Sequence, residues 1–441
     1  MIDDVTPPRQ HPKPKAIEPP EEPRQSVPVV QEPVETKPAE AVEPEFKTPE
    51  EIAAEGTDAV PTSAGQQVLP EPVKAKRRWL PHSRKQWLIT GLVTAVLLCG
   101  AGGASWALTH KQTRLPSAPK KLAVVSKISA PPQIYSDLSG LPITNASLNS
   151  KPVTAVMVEN SIDARPQSGL SQAGVVFEAQ AEGGITRFMA LYQDTTPTNV
   201  GPIRSARPYY IQWALGFDAA YAHVGGSPDA LSDLTSWNVQ NMDEFYNGSY
   251  FHRITTRIAP HNVYTGIDTL NQLESAKGYT STFTGFPRAS TQKPMAQPTA
   301  STINLDVSGP DYNPQYAYDA STNTYKRSTD GTPDVDANTN QQIAPTVVIS
   351  IVVPLSQGAL DASGAYYSDY NVLGSGEAYV FQNGGVTEGQ WHKATNTSQI
   401  TFTDSTGKSI LLDRGQTWIT AVSAANQISY TSASGQSTTA N

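Results

Sequence analysis

The chain has 441 residues, 38% of them hydrophobic and 16% charged, with a formal net charge of −8. That length accommodates two or three domains with proper cores, and a single Cys excludes a disulfide framework and any thiolate metal site of two or more ligands. The net charge is a sum of three unlike parts: residues 1–73 hold 15 acidic and 6 basic side chains, 74–121 hold ten Lys/Arg and no acid, and 122–441 hold 25 acidic and 16 basic. With no basic excess in its main part, the chain does not read as a nucleic-acid binder.

In chain order, residues 1–73 carry 15 of the 36 prolines, few aromatics and no sustained 3.6 or 2.0 periodicity. They are expected to be a disordered acidic tail, available to a cytoplasmic protein partner. Residues 74–86 are a basic juxtamembrane segment, and Trp87 to Leu108 runs 22 residues without a charge. At 1.5 Å per residue this crosses a hydrocarbon core of about 30 Å. Lys74, Lys76, Arg77, Arg78, Arg84 and Lys85 precede the span while only Lys111 and Arg114 closely follow it. The positive-inside rule therefore predicts a single-pass bacterial membrane protein, N-terminus cytoplasmic and C-terminal domains extracytoplasmic. The 86 preceding residues and a Trp at each end of the span favour an uncleaved signal anchor over a cleaved peptide.

A Pro/Ser/Lys-rich spacer (109–134) leads to a first domain, 135–285, of alternating short strand and helix patterns, either α+β or α/β. Val153 to Glu159 is a predicted strand entering the polar turn Asn160–Pro166. Val175–Glu182 and Ile185–Gln193 flank Gly183-Gly184, which suits a two-residue hairpin turn. That turn sets Glu182 opposite Ile185 and Gln180 opposite Arg187, so Glu178, Gln180, Glu182 and Arg187 share a face and Phe177, Ala179, Ala181 and Phe188 take the other. Pro208 suits the first position of a helix, placing Arg204 and Arg207 in the loop before it. Ala220–Val224 reads as a buried strand, and Gly225-Gly226-Ser227-Pro228 as a glycine turn into a capped helix whose free N–H groups suit an anion. Phe251-His252-Arg253 and Arg257 to Asn262 add polar clusters before a helix at 265–277, ended by Gly278. Residues 286–302 have the composition of a linker. A mainly β second domain, 303–429, follows, with turns at Asp330-Gly331, Asn383-Gly384 and Thr406-Gly407, and 430–441 is a polar tail.

The stretches 164–193, GPIRSARPYYI (201–211), HVGGSPDAL (223–231) and RIAPHNVYTG (257–266), in that order, resemble the YerB-like family of bacterial cell-envelope proteins. In the second domain Tyr316–Asp319, Tyr325–Arg327 and residues 374–393 resemble that family's C-terminal domain. The resemblance covers about residues 137–425 and implies two YerB-like domains at the outer face of a membrane. It implies no particular reaction. Many members use a lipid anchor, from which this chain's transmembrane segment departs.

All six arginines of the first domain, Arg165, Arg187, Arg204, Arg207, Arg253 and Arg257, lie in or beside turn-rich polar motifs. Guanidinium forks match carboxylate and phosphate, so Arg165, Arg187, Arg204, Arg207 and Arg253, with Gly225, Gly226, Ser227, His261 and Asn262, form the candidate ligand-binding set. The leading expectation is a scaffold or accessory factor that binds an anionic wall polymer or peptidoglycan, with no cofactor and no metal. One alternative is an enzyme cleaving glycan strands, a glycosidase or lytic transglycosylase with Glu182, Glu178 or Glu159 as general acid. Another is an arginine-clamped phosphoryl or polymer transferase. Serine and zinc hydrolysis fit poorly: no Gly-x-Ser-x-Gly elbow occurs, and His223, His252, His261 and His392 lack helical pairing.

Overall fold

The computed structural model describes residues 132–441. The expected tail, juxtamembrane segment and membrane span, and most of the spacer, lie outside the described residues. Among the described residues no helix is long and apolar enough to cross a membrane.

The first half runs β1 (Thr154–Glu159), β2 (Val175–Glu182), β3 (Ile185–Tyr192), α1 (Pro208–Leu215), β4 (Ala220–His223), α2 (Pro228–Ser236), β5 (Asn241–Asp243) and α3 (Ile267–Lys277). The second half runs β6 (Thr302–Leu305), β7 (Pro314–Asp319), β8 (Thr324–Thr329), β9 (Val347–Val352), β10 (Gly374–Gln382), β11 (Gly385–Lys393), β12 (Thr401–Asp404), β13 (Thr417–Val422), β14 (Ile428–Thr431) and β15 (Ser437–Thr439). Local chemistry explains several starts. Pro208 opens α1, the Ser227 side chain accepts from Ala230 N to cap α2, and Gly278 closes α3 in the left-handed region.

The two regions expected on either side of a linker share one mixed sheet, ordered β12-β11-β10-β9-β13-β2-β3-β1-β4-β5. β13 is the joint, lying parallel both to β9 and to β2, with Thr420 opposite Glu178. The reason is compositional. β1, β9 and β13 are almost wholly buried, so each needs cover on both faces and ladder partners on both edges. On one face Phe177, Ala179 and Met189 pack against Tyr210 and Trp213 of α1 and Leu234 of α2. On the other, Val176, Phe188 and Trp418 pack against Leu270 of α3 and Ile303, Tyr316 and Tyr325 of a second, six-stranded sheet. The expected linker is pinned along its length: Ala289 and Thr299 donate backbone bonds to Leu412 and Gly384, and Arg288 reaches Leu138 O and Asp413 O.

Two expectations need correction. The 430–441 tail is not free of structure: Ser437–Thr439 pairs with Ser429–Thr431, and its polar side chains suit a solvent-facing edge strand. The hairpin turn is right, with φ +56° and +80° at Gly183 and Gly184, and Glu182 does oppose Ile185. The register then shifts between Gln180 and Glu182, so Gln180 faces Thr186 and Arg187 faces Ala179. One extra residue, at Ala181, bulges the strand and reverses which side each later side chain takes.

Candidate functional site

That bulge decides the site. It leaves Glu178 on the face toward the second sheet and puts Glu182 on the α1 face with Arg187, so the polar face expected from alternation is split in two.

On the α1 face, Glu182 accepts from both Arg187 and Arg207 through very short contacts, one to each oxygen. Both arginines are buried. Arg187 Nη1 also donates to Ser205 O (2.8 Å), Arg207 Nη1 donates to Ala206 O (2.6 Å), and the Arg207 guanidinium lies 4.7 Å from the Tyr367 ring. Burial lowers the Arg187 pKa to about 10; the neighbouring Arg207 adds to the fall and Glu182 opposes it.

Directly opposite Arg187 in the sheet stands Glu159, the last residue of β1. Its Oε1 accepts from Ser161 Oγ (2.9 Å) and lies 3.2 Å from Arg204 Nε, while His261 Nδ1 is 3.0 Å from its Oε2. Glu159 is buried, whereas the Arg204 and His261 side chains remain 26% and 18% exposed. The Arg204 Nε contact is an ion pair without a hydrogen bond, and among the described residues neither terminal nitrogen of Arg204 nor Nε2 of His261 has a hydrogen-bond partner. Three arginines, two glutamates and a histidine thus converge at the ends of β1, β2 and β3, with Ser205, Ala206 and the 258–262 turn around them.

The other predicted residues are placed differently. Arg165 braces its own loop, donating to Asn160 Oδ1 (3.1 Å), Asn160 O (3.1 Å) and Asp311 O (2.6 Å), with its guanidinium over Tyr312. Burial lowers its pKa. Arg253 bonds Asn262 Oδ1 (3.0 Å) and Glu244 (3.4 Å), and Arg257 bonds Asp163 O (3.0 Å) and Pro166 O (2.7 Å), so these residues form the rim. The peptide bonds before Pro166, Pro202 and Pro260 in the surrounding loops are cis. In the Gly225–Ser227 turn Gly225 N donates to Asp243 and Ser227 N to Ala206 O, so two of the N–H groups expected to be free for an anion are taken. The buried His223 bonds Gly225 O (2.7 Å) and Asn241 (2.9 Å), holding the same turn.

Glu178 is fully buried on the far face. Arg327 Nη2 donates to both its oxygens (2.8 and 3.1 Å) and Trp418 Nε1 to one (3.0 Å). Burial pushes its pKa up, against the pull of Arg327 and Trp418. Arg327 also bonds Asp334 and lies 5.0 Å from the Trp418 ring and 5.4 Å from that of Phe188. A separate groove of about 820 Å³, lined by Glu377, Tyr379, Glu388, Gln390 and His392, includes none of the six arginines. Sequence reasoning missed Ser161, Arg327 and Tyr367 as partners. Ser161 was findable, two residues beyond a strand-ending glutamate; the other two come from distant segments and carry no local signal.

Fold and site together define a class: a mixed sheet built jointly by two halves of a chain, with an arginine–glutamate cluster at its strand ends. Residues 138–280 match the family described as "Protein of unknown function (DUF3048) N-terminal domain", and residues 303–419 match its C-terminal domain. The chain belongs to this two-domain, YerB-like DUF3048 family. It is 35% identical over 298 residues to the "Putative lipoprotein YerB" of Bacillus subtilis (strain 168), covering 66% of this chain and 86% of that protein. It is also similar to the crystal structure of the YerB protein from Bacillus subtilis, with a TM-score of 0.59 and 32% identity over 67% of this chain and 99% of the solved one.

Proposed function

We propose that this protein is an extracytoplasmic, membrane-anchored envelope protein that binds an anionic wall polymer or peptidoglycan at the Arg204–His261 rim, as a scaffold or accessory factor. The localisation draws support from the lipoprotein name of the relative and from the charge pattern around residues 87–108. The observation that carries the ligand class is the Arg204 fork: its Nε lies 3.2 Å from the buried Glu159 as an ion pair without a hydrogen bond, and its terminal nitrogens have no partner among the described residues. A guanidinium held this way is set to take a carboxylate or phosphate in two parallel bonds. His261, oriented through Nδ1 by Glu159, offers Nε2 to the same ligand.

Glycan cleavage is less well served. Glu178 is sealed in the core, both Glu182 oxygens are held by guanidiniums, and Glu159 is occupied by Ser161 and His261, so no candidate presents a free oxygen to a glycosidic bond. A polymer transferase would use the same arginine clamp, but no acidic metal set accompanies it among the described residues.

The test is co-sedimentation with purified cell-wall sacculi. Arg204→Gln is expected to weaken binding by about tenfold or more, the value of one charge-assisted contact pair. Unchanged binding would overturn the assignment. Release of soluble muropeptides that stops in Glu159→Gln would instead establish the enzyme.

A further inference from the structure

The four most exposed large apolar side chains among the described residues are Tyr246 (85%), Ile258 (81%), Phe245 (71%) and Ile162 (57%). They come from three separate segments, at residue 162, residues 245–246 and residue 258, and all four sit on the rim of the Arg204–His261 site. Arg253 ties the 244–247 turn to the 254–262 loop through Glu244 and Asn262. Arg257 ties that loop to the 160–166 turn through Asp163 O and Pro166 O, and Ser161 Oγ approaches His261 Nδ1 at 3.4 Å. Isolated exposed apolar residues need no explanation, but a ring of the most exposed ones around one polar site does.

We propose that this rim docks onto the surface of a phospholipid bilayer, the apolar tips entering the interface while Arg204 and its neighbours take headgroup phosphates. Three observations favour lipid over a protein partner. The tips come from three separate segments, at residue 162, residues 245–246 and residue 258. Tyr and Phe beside Ile, interleaved with arginine, is the composition that settles at the headgroup level. Arg204, Arg253 and Arg257 bring guanidinium groups to the rim beside the apolar tips, in a folded part whose overall balance is acidic. The phosphate contact rests on the anion-binding reading above; the apolar contact does not.

Residues 123–441 are suited to the test because they make one compact unit whose counterpart crystallised as a chain 99% covered by this one. They would be sedimented with vesicles of phosphatidylcholine and of a phosphatidylglycerol–phosphatidylcholine mixture. Binding is expected to both and to be tighter to the mixture, and Tyr246→Ser with Ile258→Ser should weaken it roughly tenfold or more. Because both side chains project into solvent, the double variant should keep its Tm. No vesicle binding by the parent, or equal binding by the double variant, overturns the docking. If Arg204→Gln leaves sacculus binding intact while the double variant loses vesicles, the anion-site reading fails and the docking survives.

Discussion

Two arginine–carboxylate constellations on opposite faces of one sheet make the instructive comparison. The Glu178–Arg327 pair is closed. Its carboxylate accepts from Arg327 and Trp418, its guanidinium is flanked by aromatic rings, and it stitches β2 of the first half to β8 of the second. The Glu159–Arg204–His261 group is open, with a buried carboxylate holding two partners whose outward nitrogens remain unsatisfied by the described residues. The same residue types thus serve cohesion in one place and recognition in the other, and what separates them is whether the cation's donors are used up.

The largest effect should come from breaking the closed pair. Glu178→Ala strands a buried guanidinium, and removing one partner of such a pair typically costs about 3–5 kcal/mol. Urea denaturation is expected to show that loss, and Glu178→Leu with Arg327→Met should recover much of it. A loss under about 1 kcal/mol would mean that Asp334 alone satisfies Arg327, and that the pair is not the seam described.

Glu274 on α3 sharpens the comparison because it is a buried carboxylate with no arginine. Thr154 Oγ1 donates to one oxygen at 2.6 Å and the other has no partner. Burial raises its pKa to about 7 from an ordinary 4.5, with the Thr154 bond opposing. The fold therefore prefers the protonated form, while the unfolded chain ionises from about pH 4.5 upward. Stability should fall as pH rises from about 4.5 to about 7 and level off above, by roughly 3 kcal/mol at most. Glu274→Gln should flatten that slope in thermal melts at pH 5 and pH 8; a slope unchanged by the substitution would locate the titration elsewhere.

These differences were only partly legible in the sequence. Pro208, Ser227-Pro228, Gly183-Gly184 and the apolar runs marked most element starts and turns, because those signals are local. The clustering of arginines in loops was also visible, and Arg187, Arg204 and Arg207 do converge. Strict alternation along β2 misled, since nothing in the residue pattern announces the bulge at Ala181 that carries Glu182 away from Glu178. The pairing of β2 with β13, and the arrival of Arg327 at Glu178, depend on residues about 150 or more positions apart in the chain. Turn composition likewise suggested free N–H groups at Gly225 to Ser227, because the acceptors that consume them, Asp243 and Ala206, are outside the turn.

The intermediate case is Glu182, clamped by two buried arginines on the open face. Glu182→Gln keeps the shape but leaves two guanidiniums facing a neutral amide, so a loss of about 1–3 kcal/mol is expected in denaturant melts, smaller than at Glu178. Sacculus binding should be little changed, because neither clamped arginine presents its fork to solvent. Were binding to rise, Arg187 and Arg207 would have to be counted among the ligand's contacts.

Arg204→Gln should give the smallest stability change, within about 1 kcal/mol, since a partly exposed guanidinium in a single ion pair contributes little to folding. Its counterpart Arg327→Gln should unfold the protein at markedly lower denaturant. If the comparison between closed and open constellations is sound, the two substitutions separate cleanly: Arg204→Gln loses ligand and keeps its melt, and Arg327→Gln loses its melt. A large stability loss at Arg204 would show that it chiefly neutralises the buried Glu159, and would move it from the recognition surface to the core.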